Sequence, residues 1–558
     1  MKNILLIVSL CIVFAFGGCK SEEDKYKDSS SVTIDIVTEQ TIDDLYVLCK
    51  VWGFLRFYHP NIVKGDSNWD YELFRIIPKL LSTTSLDARN QLLGDWVKQQ
   101  GTVTQQRSAP HYDNVKTYPD LDWLDGEELK GLSEELVKIK NAEKDFYPMR
   151  NSRILVDKLL EKDEAYAGLP DFPDVGYRLL TLFRYWNIVE YFFPYKYLIG
   201  RDWDEVLLEF IPQFIAVDNA ADYYLLILKL LASVNDTHAS IIDPVIYKYM
   251  GQRMVPIWVS FVENKAVVTH LYKDYNTIKR GDVIVAINDI PTDSIIKQHL
   301  PYTPASNYPT KLRIISRNML RTNEKKVKIT FESGGLRKTD SLDTRYMSAY
   351  EDIRDKYNNK PLVQIVDDNI LYLFLGSVEG GSIPQTIDSR GVVIDLRTYP
   401  NGEKVDGYWN IHSLYPNTTE CVNFTEPVLP GLFAALKGSA STNVGRDNPD
   451  YYKGLKVILV NEGTQSHGEF MAMRYRCAPN SIIIGSTTAG ADGDVFHTLL
   501  PGNIKITLTG LGVYYPDGGE TQRVGIVPDI EVKPTIEGVR DNRDELLEQA
   551  IKIINENI

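Results

Sequence analysis

The chain has 558 residues, 44% hydrophobic and 24% charged, the balance of a folded protein long enough for several domains. A formal charge of −14 argues against nucleic acid as a partner, because phosphate binding needs a basic face. With no His-Glu-x-x-His, no paired Cys-x-x-Cys and no phosphate loop, no metal or cofactor is expected.

The N-terminus reads as a targeting segment. Lys2 gives a positive start, residues 4–16 form an apolar run too short for a confident membrane span, and Gly17-Gly18-Cys19 follows. Two small residues before a cysteine resemble the lipobox of bacterial lipoproteins. That resemblance implies removal of residues 1–18, acylation of Cys19 and a membrane-anchored protein of the cell envelope. Residues 19–40, which include Ser21-Glu22-Glu23-Asp24, are expected to form a flexible acidic tether. The remaining Cys49, Cys421 and Cys477 are scattered, with neither a disulfide framework nor zinc spacing.

Residues 41–248 carry aromatic and aliphatic residues at helical spacing. Trp52, Pro60, Trp69, Asp70 and Pro78 recur, each 134 residues later, as Trp186, Pro194, Trp203, Asp204 and Pro212. The repeat predicts a duplicated helical unit, first copy 41–165 and second copy 166–248, with its Trp and Pro residues in core and turns. Only the second copy ends in Asn235-Asp236-Thr237-His238, so only it offers a histidine for chemistry.

Residues 249–344 change to strand-like runs, such as Ala266-Val267-Val268-Thr269 and Val327-Lys328-Ile329-Thr330-Phe331. Between them, Gly281-Asp282 makes a turn before the alternating Val283-Ile284-Val285-Ala286-Ile287. This run resembles the hallmark of PDZ domains, which bind extended peptides by strand addition. Residues 297–321 form a longer segment than such a domain usually carries there. Residues 345–535 alternate strands and helices, an α/β pattern, and 536–558 close the chain with a helix over about 543–554.

Within the α/β region, the apolar run Val457-Ile458-Leu459-Val460 enters a turn that ends at Ser466, where a helix should begin. A hydroxyl there is exposed at a strand end, and the backbone N–H groups after it can hold an oxyanion, which suits a nucleophile. The same residues also read as a capping box between Ser466 and Glu469. Thr464 departs from the Gly-x-Ser-x-Gly elbow of α/β-hydrolases.

The order of the motifs is informative. A PDZ-like run is followed by Asp395-Leu396-Arg397-(x4)-Gly402, Thr464-x-Ser466-x-x-Glu469, Gly485-x-x-Thr488-x-Gly490 and Gly525-Ile526-x-Pro528-Asp529-Ile530. Across residues 170–535 this resembles the carboxyl-terminal processing and tricorn-type serine peptidases. The resemblance implies an α/β fold with a ClpP/crotonase-like core, an inserted PDZ-like domain and an N-terminal helical region. It also implies hydrolysis of peptides or unfolded proteins through a Ser466 acyl-enzyme. The processing branch takes its base from a lysine, but that position is Ala491, and no lysine lies between Ser466 and Ile504. The tricorn branch uses a histidine ahead of the PDZ domain, a position that Thr237-His238 matches. His238 is therefore the implied base, oriented by Thr237 or another polar group; His467 and His497 are the weaker choices. The family's supporting glutamate falls on Gln522, with Glu520 two residues earlier. The implied oxyanion donors are the backbone N–H groups of His467 and Gly402. The missing lysine, and the loss of one of the family's paired glycines at Asn401, motivate the alternative of a catalytically inactive, peptide-binding lipoprotein of the same fold.

Overall fold

The computed structural model describes residues 25–65, 68–106, 111–144, 152–242, 245–273, 275–347, 360–406, 411–436 and 442–557; the targeting segment and Cys19 lie outside the described residues. The central sheet is built from short apolar runs, and Gly391–Asp395 is buried at every position. Its order is Val363–Val366, Ile370–Phe374, Gly391–Asp395, Leu455–Val460, Ser481–Gly485 and Ile530–Glu531, antiparallel at the first pair and parallel thereafter. Strands covered on both faces need apolar side chains at successive positions. On one face Val392, Ile394 and Ile458 pack with Phe470, Met471 and Met473 of helix His467–Arg476. On the other, Val393, Val457 and Leu459 pack with Ala550, Ile553 and Ile554 of helix Glu545–Glu556. The result is a three-layer α/β/α unit.

The helical region contains two helix pairs with the same internal contact. Trp52 Nε1 donates to the Trp69 carbonyl (3.3 Å) and Trp69 Nε1 to the Trp52 carbonyl (3.1 Å). Trp186 and Trp203 repeat the exchange at 2.8 and 3.0 Å. Between the pairs, Lys50 meets Asp204 at 2.7 Å, and Arg184, 134 residues after Lys50, meets Asp70, 134 residues before Asp204. Phe57 stacks edge-on with Tyr191 at 5.4 Å between centroids. A Cβ on Gly53 would fall 1.7 Å from Asn187 Oδ1, so glycine is required where helices Glu39–Tyr58 and Val175–Phe192 cross.

The segment expected as a tether is packed from Tyr26 onward. Tyr26, Ser30 and Val32 are buried, Tyr177 donates its hydroxyl to the Tyr26 carbonyl, and the Ser30 N–H donates to Asp174 at 2.7 Å. Apolar Tyr26 and Val32 gain more from burial than a solvated tether would allow.

Residues 257–343 form a separate antiparallel sheet, Leu336–Asp343, Lys326–Ser333, Val283–Ile287, Lys265–Leu271, Ile257–Val262. The long segment inside it folds as helices Thr292–His299 and Tyr308–Asn318. Helix Ile536–Arg540, expected only as part of a terminal helix, places Val539 against Val262 and Val267 of this sheet. Cys49, Cys421 and Cys477 are free thiols, and Cys421 Sγ donates to the Thr419 carbonyl at 3.7 Å. Among the described residues no helix is long and apolar enough to cross a membrane.

Candidate active site

Strand Leu455–Val460 delivers the chain into a turn held by its own side chains. Asn461 Oδ1 accepts from the Gly463 N–H (2.8 Å), and the Thr464 hydroxyl accepts from the Asn461 N–H (3.1 Å) while donating to the Leu396 carbonyl (2.9 Å). Thr464 thus stands where a hydrolase elbow has glycine because its hydroxyl ties the turn to the neighbouring strand end. Ser466 follows with φ 53° and ψ −120°, immediately before helix His467–Arg476. A non-glycine residue at positive φ on a sharp strand-to-helix turn is strained, and such strain concentrates at functional sites.

Glu469 holds that conformation. Its carboxylate accepts the Ser466 N–H (3.0 Å), the Gly490 N–H (2.7 Å), the Ala491 N–H (3.0 Å) and the Thr488 hydroxyl (2.5 Å). One arm of the expected capping box is therefore present, but it also clamps loop 488–491 to the Ser466 turn. Burial pushes the Glu469 carboxyl up and these four donors pull it back. Burial, with Glu469 nearby, holds the Asp492 carboxyl far above the usual carboxylate range. Ala491, at the expected lysine position, is fully buried, and its carbonyl accepts the Ser466 N–H at 2.9 Å. The Ser466 hydroxyl donates to the Gly493 carbonyl at 3.4 Å.

Thr237, beside His238, reaches the same loop from the other side, its hydroxyl 3.3 Å from the Ala489 carbonyl. Strand Ser240–Ile241 pairs with Ile504–Thr509, which pins the backbone two residues after the histidine. His238 Nδ1 lies 2.8 Å from Thr509 Oγ1, and Thr509 Oγ1 donates to Asp236 Oδ2 at 2.8 Å. Asp236 also accepts the Thr509 N–H (3.1 Å), the His238 N–H (3.2 Å) and Gln522 Nε2 (3.2 Å). Burial lowers the His238 pKa below the ordinary histidine value, against the opposing pull of Asp236 and Asp494.

Several expected roles move. Thr237 does not orient the imidazole. Its hydroxyl donates to Ser306 Oγ (3.0 Å) or the Ala489 carbonyl (3.3 Å) and accepts the Ser306 N–H (2.9 Å), because the residue beside His238 projects away from it. Gln522 reaches the site through Asp236, whereas Glu520 faces Tyr197 (2.9 Å) and Lys116 (3.6 Å). The Gly402 N–H is taken by the Pro400 carbonyl at 3.2 Å, so that donor is spent within its own turn. His467 is adjacent to Ser466, with its imidazole 6.4 Å from the Tyr399 ring, and burial drops its pKa to about 4. His497 lies on strand Val495–Leu500, paired opposite Thr507. Asp236 and Thr509 were missed by sequence reasoning. Asp236 carried the signal of an Asx turn two residues before a histidine; Thr509 carried none.

The long segment of the β domain closes one flank. Arg313 donates to Gln465 Oε1 at 2.7 Å, beside Ser466, and Asn307 Nδ2 donates to the Thr488 carbonyl at 2.8 Å. Among the described residues no cluster of His, Cys, Asp or Glu could hold a metal ion.

Residues 384–532, which carry the nucleophile turn and its clamp, match the model of peptidase family S41. That match spans 149 of the 558 residues. Mature CPAF is similar in fold, with a TM-score of 0.53 at 12% identity over 68% of this chain and 98% of its own. Two further solved structures align at lower scores. The photosystem II D1 C-terminal processing protease gives 0.37 at 16% identity over 65% of this chain and 96% of its own. The tricorn protease gives 0.33 at 12% identity over 68% of this chain and 36% of its own.

Proposed function

We propose that this chain is a serine peptidase of peptides or unfolded proteins, with Ser466 as nucleophile and His238 as general base, in a tricorn-like arrangement. The observation that carries the reading is the strained Ser466 backbone at the head of helix His467–Arg476, in an S41 segment whose loop 489–495 is contacted by both Ser466 and the His238 region. In the reaction His238 Nε2 takes the Ser466 hydroxyl proton as Oγ bonds to the scissile carbonyl carbon. The carbonyl oxygen gains the charge, and the His467 N–H, first on the helix, is the donor that would meet it. The imidazolium then protonates the leaving amine as the C–N bond breaks, and water releases the acyl group from Ser466 by the reverse sequence.

The test is hydrolysis of an unfolded protein or peptide library, with labelling of Ser466 by a fluorophosphonate. Ser466→Ala and His238→Ala should each lower kcat by at least about 10³, the scale of losing a nucleophile or its base. Hydrolysis that survives Ser466→Ala overturns the reading. With the His238 pKa lowered, the base stays neutral as pH drops below the ordinary histidine range, and kcat/KM should fall only at lower pH.

The same reading covers the surrounding parts. The helical region is a duplicated unit over 41–165 and 166–248, supported by the two matching Trp exchanges and the two ion pairs that join counterpart positions. Residues 249–344 are a PDZ-like domain whose inserted helices dock on the nucleophile turn. The protein is held in the cell envelope by a lipid on Cys19, and Cys19→Ala should abolish incorporation of labelled fatty acid; undiminished incorporation sinks the anchor.

A further inference from the structure

The carboxylate expected to support the histidine falls on Gln522, a neutral amide. The structure nevertheless surrounds His238 with a complete polar chain. Asp236 is fully buried, and all four groups that contact its oxygens are donors: the N–H groups of His238 and Thr509, the Thr509 hydroxyl and Gln522 Nε2. An acceptor with four donors is an ionised carboxylate. The Thr509 hydroxyl has one proton, and Asp236 Oδ2, 2.8 Å away, can only accept it. Its contact with His238 Nδ1, also 2.8 Å, must then run from the ring N–H to a hydroxyl lone pair. Nδ1 therefore carries the proton in neutral His238, and Nε2 is left with the free lone pair that a general base needs.

We propose that Asp236 is the positioning carboxylate of this site and acts on His238 through the hydroxyl of Thr509, with Gln522 holding the carboxylate in place. The inference rests on His238 being the base. The relay moves no proton to Asp236. When Nε2 takes the serine proton, the imidazolium keeps its Nδ1–H on Thr509, Thr509 keeps its proton on Asp236, and the fixed negative charge offsets the new positive one. This division of labour explains how Gln522 can replace an acid: the amide donates to a carboxylate instead of supplying one. It also explains why Thr237, beside the histidine in sequence, is free to bind Ser306. The charged groups that act on the imidazole are Asp236, just before it in the chain, and Asp494, at the start of the strand paired with Thr509.

The experiment measures the rate of Ser466 phosphonylation by a fluorophosphonate against pH in the full chain, beside peptide hydrolysis. Thr509→Val should slow both by about 10², the lower end of the range for acid–base assistance, with KM little changed. Thr509→Ser keeps the hydroxyl and should recover to within about threefold of the parent, well inside that loss. Asp236→Asn should slow the reaction and move its acid limb to lower pH, because one charge that holds the imidazole pKa up is gone. Thermal unfolding of each variant separates loss of fold from loss of function, and if Asp236→Asn does not fold, the Val and Ser pair at 509 decides. Equal rates for Thr509→Val and Thr509→Ser, or an acid limb unmoved in folded Asp236→Asn, overturn the relay. If those results come with full loss in Ser466→Ala and His238→Ala, the relay alone falls. Hydrolysis that persists in Ser466→Ala brings down the serine reading and the relay together.

Discussion

At the residue scale the site is defined by a conflict between one backbone and its side chain. Ser466 holds φ 53° and ψ −120°, a conformation that glycine adopts without strain and serine does not. Ser466→Gly should therefore be more stable than Ser466→Ala by about 1 kcal/mol or more, while both lack activity. Denaturant titration of the two variants checks this; equal stability would mean that the turn stores no strain. Glu469 is what holds the serine there, because its carboxylate binds the Ser466 N–H and the N–H groups of Gly490 and Ala491 together. The sequence motif placed Ser466 and Glu469 correctly as a pair, yet it showed only a helix cap. That the same carboxylate grips a loop 21 residues further on is a tertiary fact.

At the element scale, the Ser466 turn depends on how closely two parallel strands end. Strands Leu455–Val460 and Ser481–Gly485 run side by side, and Gly485 leaves the sheet at φ 131° with its missing Cβ 1.8 Å from the Val460 carbonyl. Any side chain there forces the strands apart just upstream of the turn that carries Ser466. Gly485→Ala should cost about 4 kcal/mol or more, the range reserved for severe single changes, and should abolish Ser466 labelling. A near-parental unfolding midpoint in Gly485→Ala would refute the strand-end constraint. On the histidine side, strand Ser240–Ile241 is only two residues long, but its pairing with Ile504–Thr509 aligns Thr509 with the imidazole. That pairing is chosen by packing across the fold, not by the residues of either strand alone.

At the scale of the whole molecule, the last helix forms the layer that backs the central sheet. Helix Glu545–Glu556 covers the sheet face opposite helix His467–Arg476. Its N-cap residue Asp544 binds Arg397 at 2.7 Å, and Arg397 binds Asp395 at 2.6 Å. Burial works against the Asp395 charge, but the Arg397 guanidinium outweighs it and keeps the carboxyl below the usual range. A chain ending at residue 543 should leave Ile370, Val457 and Leu459 uncovered and be recovered as insoluble protein. The milder Asp544→Ala should fold and lose about 1–3 kcal/mol, the effect of removing one partner of a charged hydrogen bond. Soluble, fully stable truncated protein would show that the helix is dispensable.

The amino-acid order by itself determined the pairing of Ser466 with Glu469, the absence of a lysine between Ser466 and Ile504, the α/β character of the core and the 134-residue repeat of Trp, Pro and Asp. These are local or periodic features, and local propensity and buried-strand composition are written in consecutive residues. The tertiary structure alone decided which side chains meet. Thr237 was the natural partner of His238 by adjacency, but neighbours in sequence diverge in space, and Thr509, 271 residues away, takes the contact. Gly402 matched a donor motif, but the Pro400 carbonyl claims its N–H. Hydrogen-bond partners are chosen by position in the folded chain, and residues 236, 238, 509 and 522 come together only when the sheets and helices have packed.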